Sequence, residues 1–220
     1  MSAQDMFSML WSGTGETLLM VVLSTLMGYV LGLPLGVLLT ISDTNGIAPN
    51  KVLYKIIDIV VNITRSVPFL ILLILIQPFT RLIVGKSYGT MATVVPLTVA
   101  ATPLIARMIE SSLKEVDDGV VEAAVSMGAS RYEIIRKVLI PEAKISLLVG
   151  VTISLGTILG YSAMAGVVGG GGLGDIAIRY GYYRYETGIM IVTVVVLVIL
   201  MQLLQWIGNV LSKKLDKRRA

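Results

Sequence analysis

DDGVVEAAVSMGASRYEIIRKVLIPEA, residues 117 to 143, separates two long apolar runs and carries the clearest helix punctuation in the chain. Asp117 and Asp118 suit a helix N-terminus, where carboxylates accept free N–H groups and meet the positive end of the dipole. Val121, Ala124, Val125 and Gly128 follow at helical spacing, a narrow face of mostly small residues. Gly128 can end that helix, because glycine enters the left-handed region without a Cβ clash. Ser130 and Glu133 then form an S-x-x-E capping box, in which each side chain satisfies the other residue's backbone donor. Ile134, Ile135, Val138 and Leu139 make an apolar stripe opposite Glu133, Arg136 and Lys137, and Pro141 is placed to stop the helix. The spacing predicts two short helices joined by a bend. Periodicity alone is satisfied equally by an amphipathic elbow resting on lipid headgroups.

The sequence on either side decides where that elbow sits. Mean hydropathy is +0.84, and 55% of residues are hydrophobic against 15% charged, which places the chain in a bilayer rather than in water. Five stretches approach or exceed the ~20 residues needed to cross a hydrocarbon core: Thr17 to Ile41, Ile56 to Phe79, Met91 to Leu113, Ile145 to Val168 and Thr187 to Leu211. The expected fold is therefore all-α and integral to the membrane, one domain over 1–220 with five transmembrane helices. Arg65 divides the second stretch, which is expected to begin as an interfacial helix and turn inward near Pro68.

Lysine and arginine set the orientation, because cytoplasmic loops carry their excess. Lys51 and Lys55 follow the first stretch. Lys114, Arg131, Arg136, Lys137 and Lys144 lie between the third and fourth, and Lys213, Lys214, Lys217, Arg218 and Arg219 form the tail. Opposite them stand Arg81, Lys86, Arg179 and Arg184. The predicted N-terminus is outside, and the C-terminus and the elbow are cytoplasmic. The first basic residue is Lys51, so no positive n-region of a cleavable signal precedes the first apolar run, which is expected to remain. Tyr180 to Tyr185, reading YGYYRY, is expected at the outer interface as an aromatic anchor.

The same residues exclude several chemistries. With no cysteine and no histidine, disulfides and Ser-His or Cys-His nucleophile pairs are ruled out, and the commonest metal ligand is missing. The net charge of +4 is spread between apolar runs rather than gathered on a soluble face, which argues against nucleic acid. Gly169, Gly171 and Gly174 match G-x-G-x-x-G, but they follow an apolar run rather than a soluble strand and read as a flexible outer turn. No G-x-x-x-x-G-K-[ST] occurs, so a P-loop is absent. A carrier driven by an ion gradient normally places ionisable groups near the membrane midplane. Here Asp58, Arg65, Arg107 and Glu110 lie toward the predicted cytoplasmic ends, and Arg107 and Glu110 are spaced to pair on one helix face.

Within the apolar runs, Pro34, Pro68, Pro96 and Pro103 predict kinks. Gly28, Gly32 and Gly36, and again Gly156 and Gly160, have small-xxx-small spacing; packing inside one subunit and a dimer face fit that pattern equally. Ser154, Gly156, Thr157, Gly160, Tyr161 and Ser162 bring small or hydroxyl groups into the fourth run. They make it the candidate lining of a translocation pathway, with plain helix packing as the competing explanation. Met164 is the candidate gate, a flexible thioether able to fill an irregular gap.

Glu122-Ala123-Ala124, three residues, Gly128, nine residues and Val138-Leu139-Ile140-Pro141 resemble the EAA loop of ABC importer permeases. The family pattern is EAA-x3-G-x9-I-x-L-P, and the chain departs from it at Val138 and at Ile140. Arg65-Ser66-Val67-Pro68 and Ala106-Arg107 are similar to segments common in these permeases. Tyr161 to Gly166, with Gly171-Gly172-Leu173-Gly174 and Tyr180-Gly181-Tyr182, is similar to the methionine-uptake branch.

The resemblance implies that Glu122, Ala123, Ala124, Gly128, Ala129 and Pro141 form a coupling loop that docks on a separate ATPase subunit. It implies that ATP and Mg are bound by that partner and no cofactor by this chain. It also implies a permease homodimer with two cytoplasmic ATPases and an extracytoplasmic substrate-binding protein, in a bacterial inner membrane. The implied function is uptake of an amino acid, methionine first, with another small amino acid or polar solute as the alternative and a gradient-driven carrier as the competing class.

Overall fold

The computed structural model describes residues 3 to 215; Lys217, Arg218 and Arg219 of the basic tail lie outside the described residues. Every regular element among those residues is helical. In chain order they are α1 (Ala3–Ser42), α2 (Lys51–Ser66), α3 (Phe69–Leu75), α4 (Gln77–Val84), α5 (Thr90–Lys114), α6 (Asp118–Ser126) and α7 (131–142). They continue with α8 (Lys144–Ala165), α9 (172–182) and α10 (Thr187–Leu215). Four of these, α1, α5, α8 and α10, are long and apolar enough to cross a membrane, and there are five spans if α2 and α3 count as one broken span.

α5 is the central element. Leu97, Ala101, Ile105 and Ile109 on it are almost completely buried, and α1 runs along it for much of its length. Gly28, Gly32 and Gly36 make that packing possible. A Cβ at Gly32 would stand 2.8 Å from the Thr102 carbonyl, and one at Gly36 2.6 Å from that of Ala106. This glycine stripe is thus used inside the subunit. Gly156 packs under Met201 of α10, whereas Gly160 faces open space. At the periphery α10 has the highest mean hydropathy of the four spans, 2.7, and the smallest buried share, 17%. A helix so apolar and so little covered has its natural solvent in lipid.

Two expectations are corrected by the fold. The first helix starts at Ala3 rather than near Thr17. Its polar N-terminal part stays helical because Thr14 and Thr17 donate to the carbonyls of Leu10 and Gly13, and because Gly13 lies against Ile176 and Leu173. At 40 residues it is about 60 Å long, twice the hydrocarbon thickness.

The second stretch bends at Pro68, as expected: α2 and α3 meet at 101°. Val67 is extended there, as a residue preceding proline prefers, and Pro68 caps α3. Pro34, Pro96 and Pro103 lie inside continuous helices.

The glycine-rich segment, expected to be a flexible outer turn, is not a loose one. Gly170, Gly172 and Gly174 are buried; the Gly89 N–H donates to Gly169, and the Thr93 hydroxyl to the Gly170 carbonyl. The Gly172 and Leu173 N–H groups donate to Glu16 and Thr17 of α1. Close backbone contacts that only glycine permits hold it between α1, α5 and α8. Beyond it, Tyr182, Tyr183 and Tyr185 are exposed, and the Arg184 guanidinium sits 4.6 Å over the Tyr180 ring.

Candidate functional site

The elbow is built by its local sequence. The Asp117 carboxylate accepts the Gly119 N–H at 2.8 Å and starts α6. At the other end Gly128 adopts φ +79°, and the Ala129 N–H returns to the Ala124 carbonyl at 3.1 Å, a glycine-terminated helix end. Ser130 then opens α7 with both halves of the capping box present. Lys137 reaches Glu133 at 2.9 Å. That contact, followed by the backbone and hydroxyl of Ser130, holds the Glu133 carboxyl down to about 2.

Pro141 does not stop α7. The helix widens to an i→i+5 pattern over Ile134–Leu139, with the Ile140 N–H bonded to Ile135 O, and carries Pro141 before breaking at Ala143. A widened turn is how a helix accommodates a ring that clashes with the carbonyl four residues back and lacks an N–H.

One side of the elbow is welded to the bundle. Ala124, Ile134, Leu139 and Ala143 are buried in the same core that contains Leu113, Ile109 and Ile105 of α5. The other side is bare. Glu122, Ala123 and Gly128 are exposed, and no atom lies within 4 Å of the Cβ position of Gly128. Val120, Val125, Tyr132 and above all Met127, 82% exposed, surround them.

Of the six expected coupling residues, Glu122, Ala123, Gly128 and Pro141 therefore lie at the surface. Ala124 is turned inward, and Ala129 is half-buried against the core. Met127 was not singled out by the motif. Its position immediately before the terminating glycine, where the chain turns outward, is the signal that could have found it.

Directly behind the elbow lies a charge cluster that sequence spacing shows only in part. Arg107 pairs with Glu110 at 2.6 Å, as the i,i+3 spacing suggested, and also with Asp58 of α2. Lys114 bridges Glu110 at 2.9 Å and Asp43 at 2.6 Å, and its contact holds the Asp43 carboxyl below its ordinary range, assisted by the Thr44 N–H. Tyr54 and Asn62 of α2 complete the set. The cluster ties the end of α1, α2 and α5 together at one level.

On α8, the pathway candidates divide between two faces. Ser154 and Ser162 are buried, with hydroxyls donated to the Gly150 and Leu159 carbonyls of their own helix. They pack in the core and do not reach an open face. Tyr161 is half-buried and stacks on Phe69 of α3 at 4.7 Å between centroids. The outward face carries Val149, Ile153, Gly160 and Met164, with the half-buried Thr157 between them. This stripe has helical spacing and no covering element among the described residues. Among the described residues no cluster of acidic side chains could hold a metal ion.

Comparison with known proteins agrees with this architecture. Residues 32–217 match the family model described as "Binding-protein-dependent transport system inner membrane component". A probable D-methionine transport system permease protein of Vibrio cholerae serotype O1, MetI, is 53% identical over 96% of this chain and 93% of its own length. The corresponding protein of Pasteurella multocida is 43% identical over 93% of this chain and 94% of its own. Among solved structures, a chain of the MetNI methionine ABC transporter in inward-facing conformations superimposes with a TM-score of 0.96. It is 47% identical, and the match covers 99% of this chain and 100% of that one. The chain belongs to the family of inner membrane components of binding-protein-dependent transport systems.

Proposed function

We propose that the chain is the permease subunit of an ATP-driven importer for methionine, and that residues 1–220 form one transmembrane domain. Its N-terminus is outside, its C-terminus is inside, and the broken α2–α3 pair supplies the fifth crossing. Two copies pair about a twofold axis, the commonest arrangement for identical subunits, with the bare stripe of α8 facing the axis. The passage then runs between the two stripes, through Thr157, Tyr161 and Met164 of each copy. Two cytoplasmic ATPases, which bind ATP and Mg, dock on the elbows through Glu122, Ala123, Met127 and Gly128. A soluble binding protein delivers substrate from the outer side.

The observation that carries this reading is the two-sided elbow, bare outside and continuous inside with the α5 core. A packed body of that kind transmits a displacement instead of absorbing it. ATPase closure would press on the elbows and open the bundle outward; hydrolysis would return it. The substrate is supported by the relatives named for methionine transport.

The test is uptake of labelled methionine by vesicles reconstituted with this chain, its partner ATPase and binding protein. Uptake should require ATP and the ATPase, and should survive collapse of ion gradients. Uptake that proceeds without the ATPase and stops with an ionophore would replace the proposal with a gradient-driven carrier.

A further inference from the structure

A second surface left uncovered by the described residues lies on the far side of α8 from the bare stripe. It is an apolar groove bounded by Tyr29 and Leu33 of α1, Ile109 of α5, Leu148 and Val151 of α8, and Leu215 at the end of α10. At 100° per residue, Leu148 and Val151 stand about 140–160° around α8 from the stripe. If the stripe faces a second copy, the groove faces lipid.

Lys144 lies at the mouth of the groove, and Lys213 and Lys214 precede Leu215 in the last turn of α10. All three lysines are exposed, and none forms a salt bridge among the described residues. The nearest acid in sequence, Glu142, already has a partner.

We propose that this groove binds one anionic phospholipid of the inner leaflet. Its phosphate would meet Lys144 and Lys214, and the first part of an acyl chain would lie along Leu148, Val151 and Leu33. The lining and rim argue for it together. From Lys144 to Val151 is about 10 Å of helix with only apolar groove residues, enough for several methylenes. A cationic mouth at the cytoplasmic end of a crevice between spans is suited to an acidic headgroup. The occupant would bridge α10, α1 and the root of the elbow, so its presence would steady the joint between α7 and α8. The leaflet assignment rests on the topology proposed above.

Native mass spectrometry of the purified full-length chain, titrated with phosphatidylglycerol or phosphatidylethanolamine of matched acyl chains, tests it. One phosphatidylglycerol per chain should be retained at concentrations where phosphatidylethanolamine is lost. Replacing Lys144 and Lys214 by Gln should weaken retention by roughly fivefold per lysine, and Lys144→Arg should keep it. Leu148→Trp, which fills the groove with the lysines intact, should expel the lipid. Equal retention of both lipids, or retention undiminished by Leu148→Trp, would overturn the site. Because the chain has no cysteine, Ser126→Cys gives a single thiol that reports the leaflet separately. Labelling by an impermeant maleimide from outside intact cells would overturn the inner-leaflet assignment.

Discussion

The Glu16 carboxylate accepts the Gly172 N–H at 2.7 Å, joining the N-terminal part of α1 to a glycine-rich segment 156 residues downstream. Gly172 has φ +72°, and a Cβ there would meet the Thr17 hydroxyl at 2.6 Å. Glu16→Ala leaves the N–H of the buried Gly172 unpaired and is expected to cost about 1–3 kcal/mol. Thermal unfolding in detergent should show Glu16→Gln, whose carbonyl can still accept, much closer to the parent.

Gly128 separates a backbone requirement from a contact requirement. Its φ of +79° penalises any side chain by about 1 kcal/mol, but the surrounding space is empty. Gly128→Ala should therefore insert, fold and still couple, whereas Gly128→Asp should insert and fail to co-purify with the ATPase. Normal co-purification of the aspartate variant would refute the docking assignment.

Arg107 neutralises two carboxylates, and the Glu110 side chain is only 7% exposed. Arg107→Ala leaves the buried Glu110 with Lys114 alone and Asp58 without its cation, and should destabilise the protein by about 1–3 kcal/mol. The double change Arg107→Met with Glu110→Leu removes both partners and should lose less, while Lys114 keeps Asp43. An equal loss in the single and double variants would show that the cluster acts by packing rather than by charge.

The capping box should be sensitive to acid. The Glu133 carboxyl titrates at about 2 in the folded chain, against an ordinary 4.5. Its contribution is therefore complete above pH 4.5 and fades as pH falls toward 2. Protection of the Ser130 and Glu133 amides against hydrogen exchange, corrected for intrinsic rates, should fall across that window. Glu133→Gln should remove the dependence.

Met164 is 40% exposed on the same face as Gly160. If the two copies meet along that face, Met164→Ala opens the narrow point and should raise methionine leakage from reconstituted vesicles without ATP. Unchanged leakage and unchanged ATPase coupling would remove Met164 from the gate.

What could be seen in advance follows the range of the interactions. Asp117, Gly128 and the pair Ser130 and Glu133 act over two to five residues, so their roles were legible. Arg107 with Glu110 is equally local, but Asp58, Asp43 and Lys114 enter the same cluster through the register between helices, which spacing does not contain. The stripe at Gly28, Gly32 and Gly36 announced close approach without naming α5 as its partner. Ser154 and Ser162 looked like pathway groups because hydroxyls in an apolar run are conspicuous; in a helix they can bond the preceding turn and disappear into packing. The glycines from 169 to 174 looked slack, because the groups that hold them lie on α1 and α5.

The contact of Gly28, Gly32 and Gly36 sets the α1 backbone directly on the Thr102 and Ala106 carbonyls and the Ala101, Ile105 and Ile109 side chains of α5, with no α1 side chain between them. α1 and α5 must consequently travel as a single beam. Rocking of this subunit has to find its compliance elsewhere, and the extended residue Val67 at the 101° corner is the joint with the least to break.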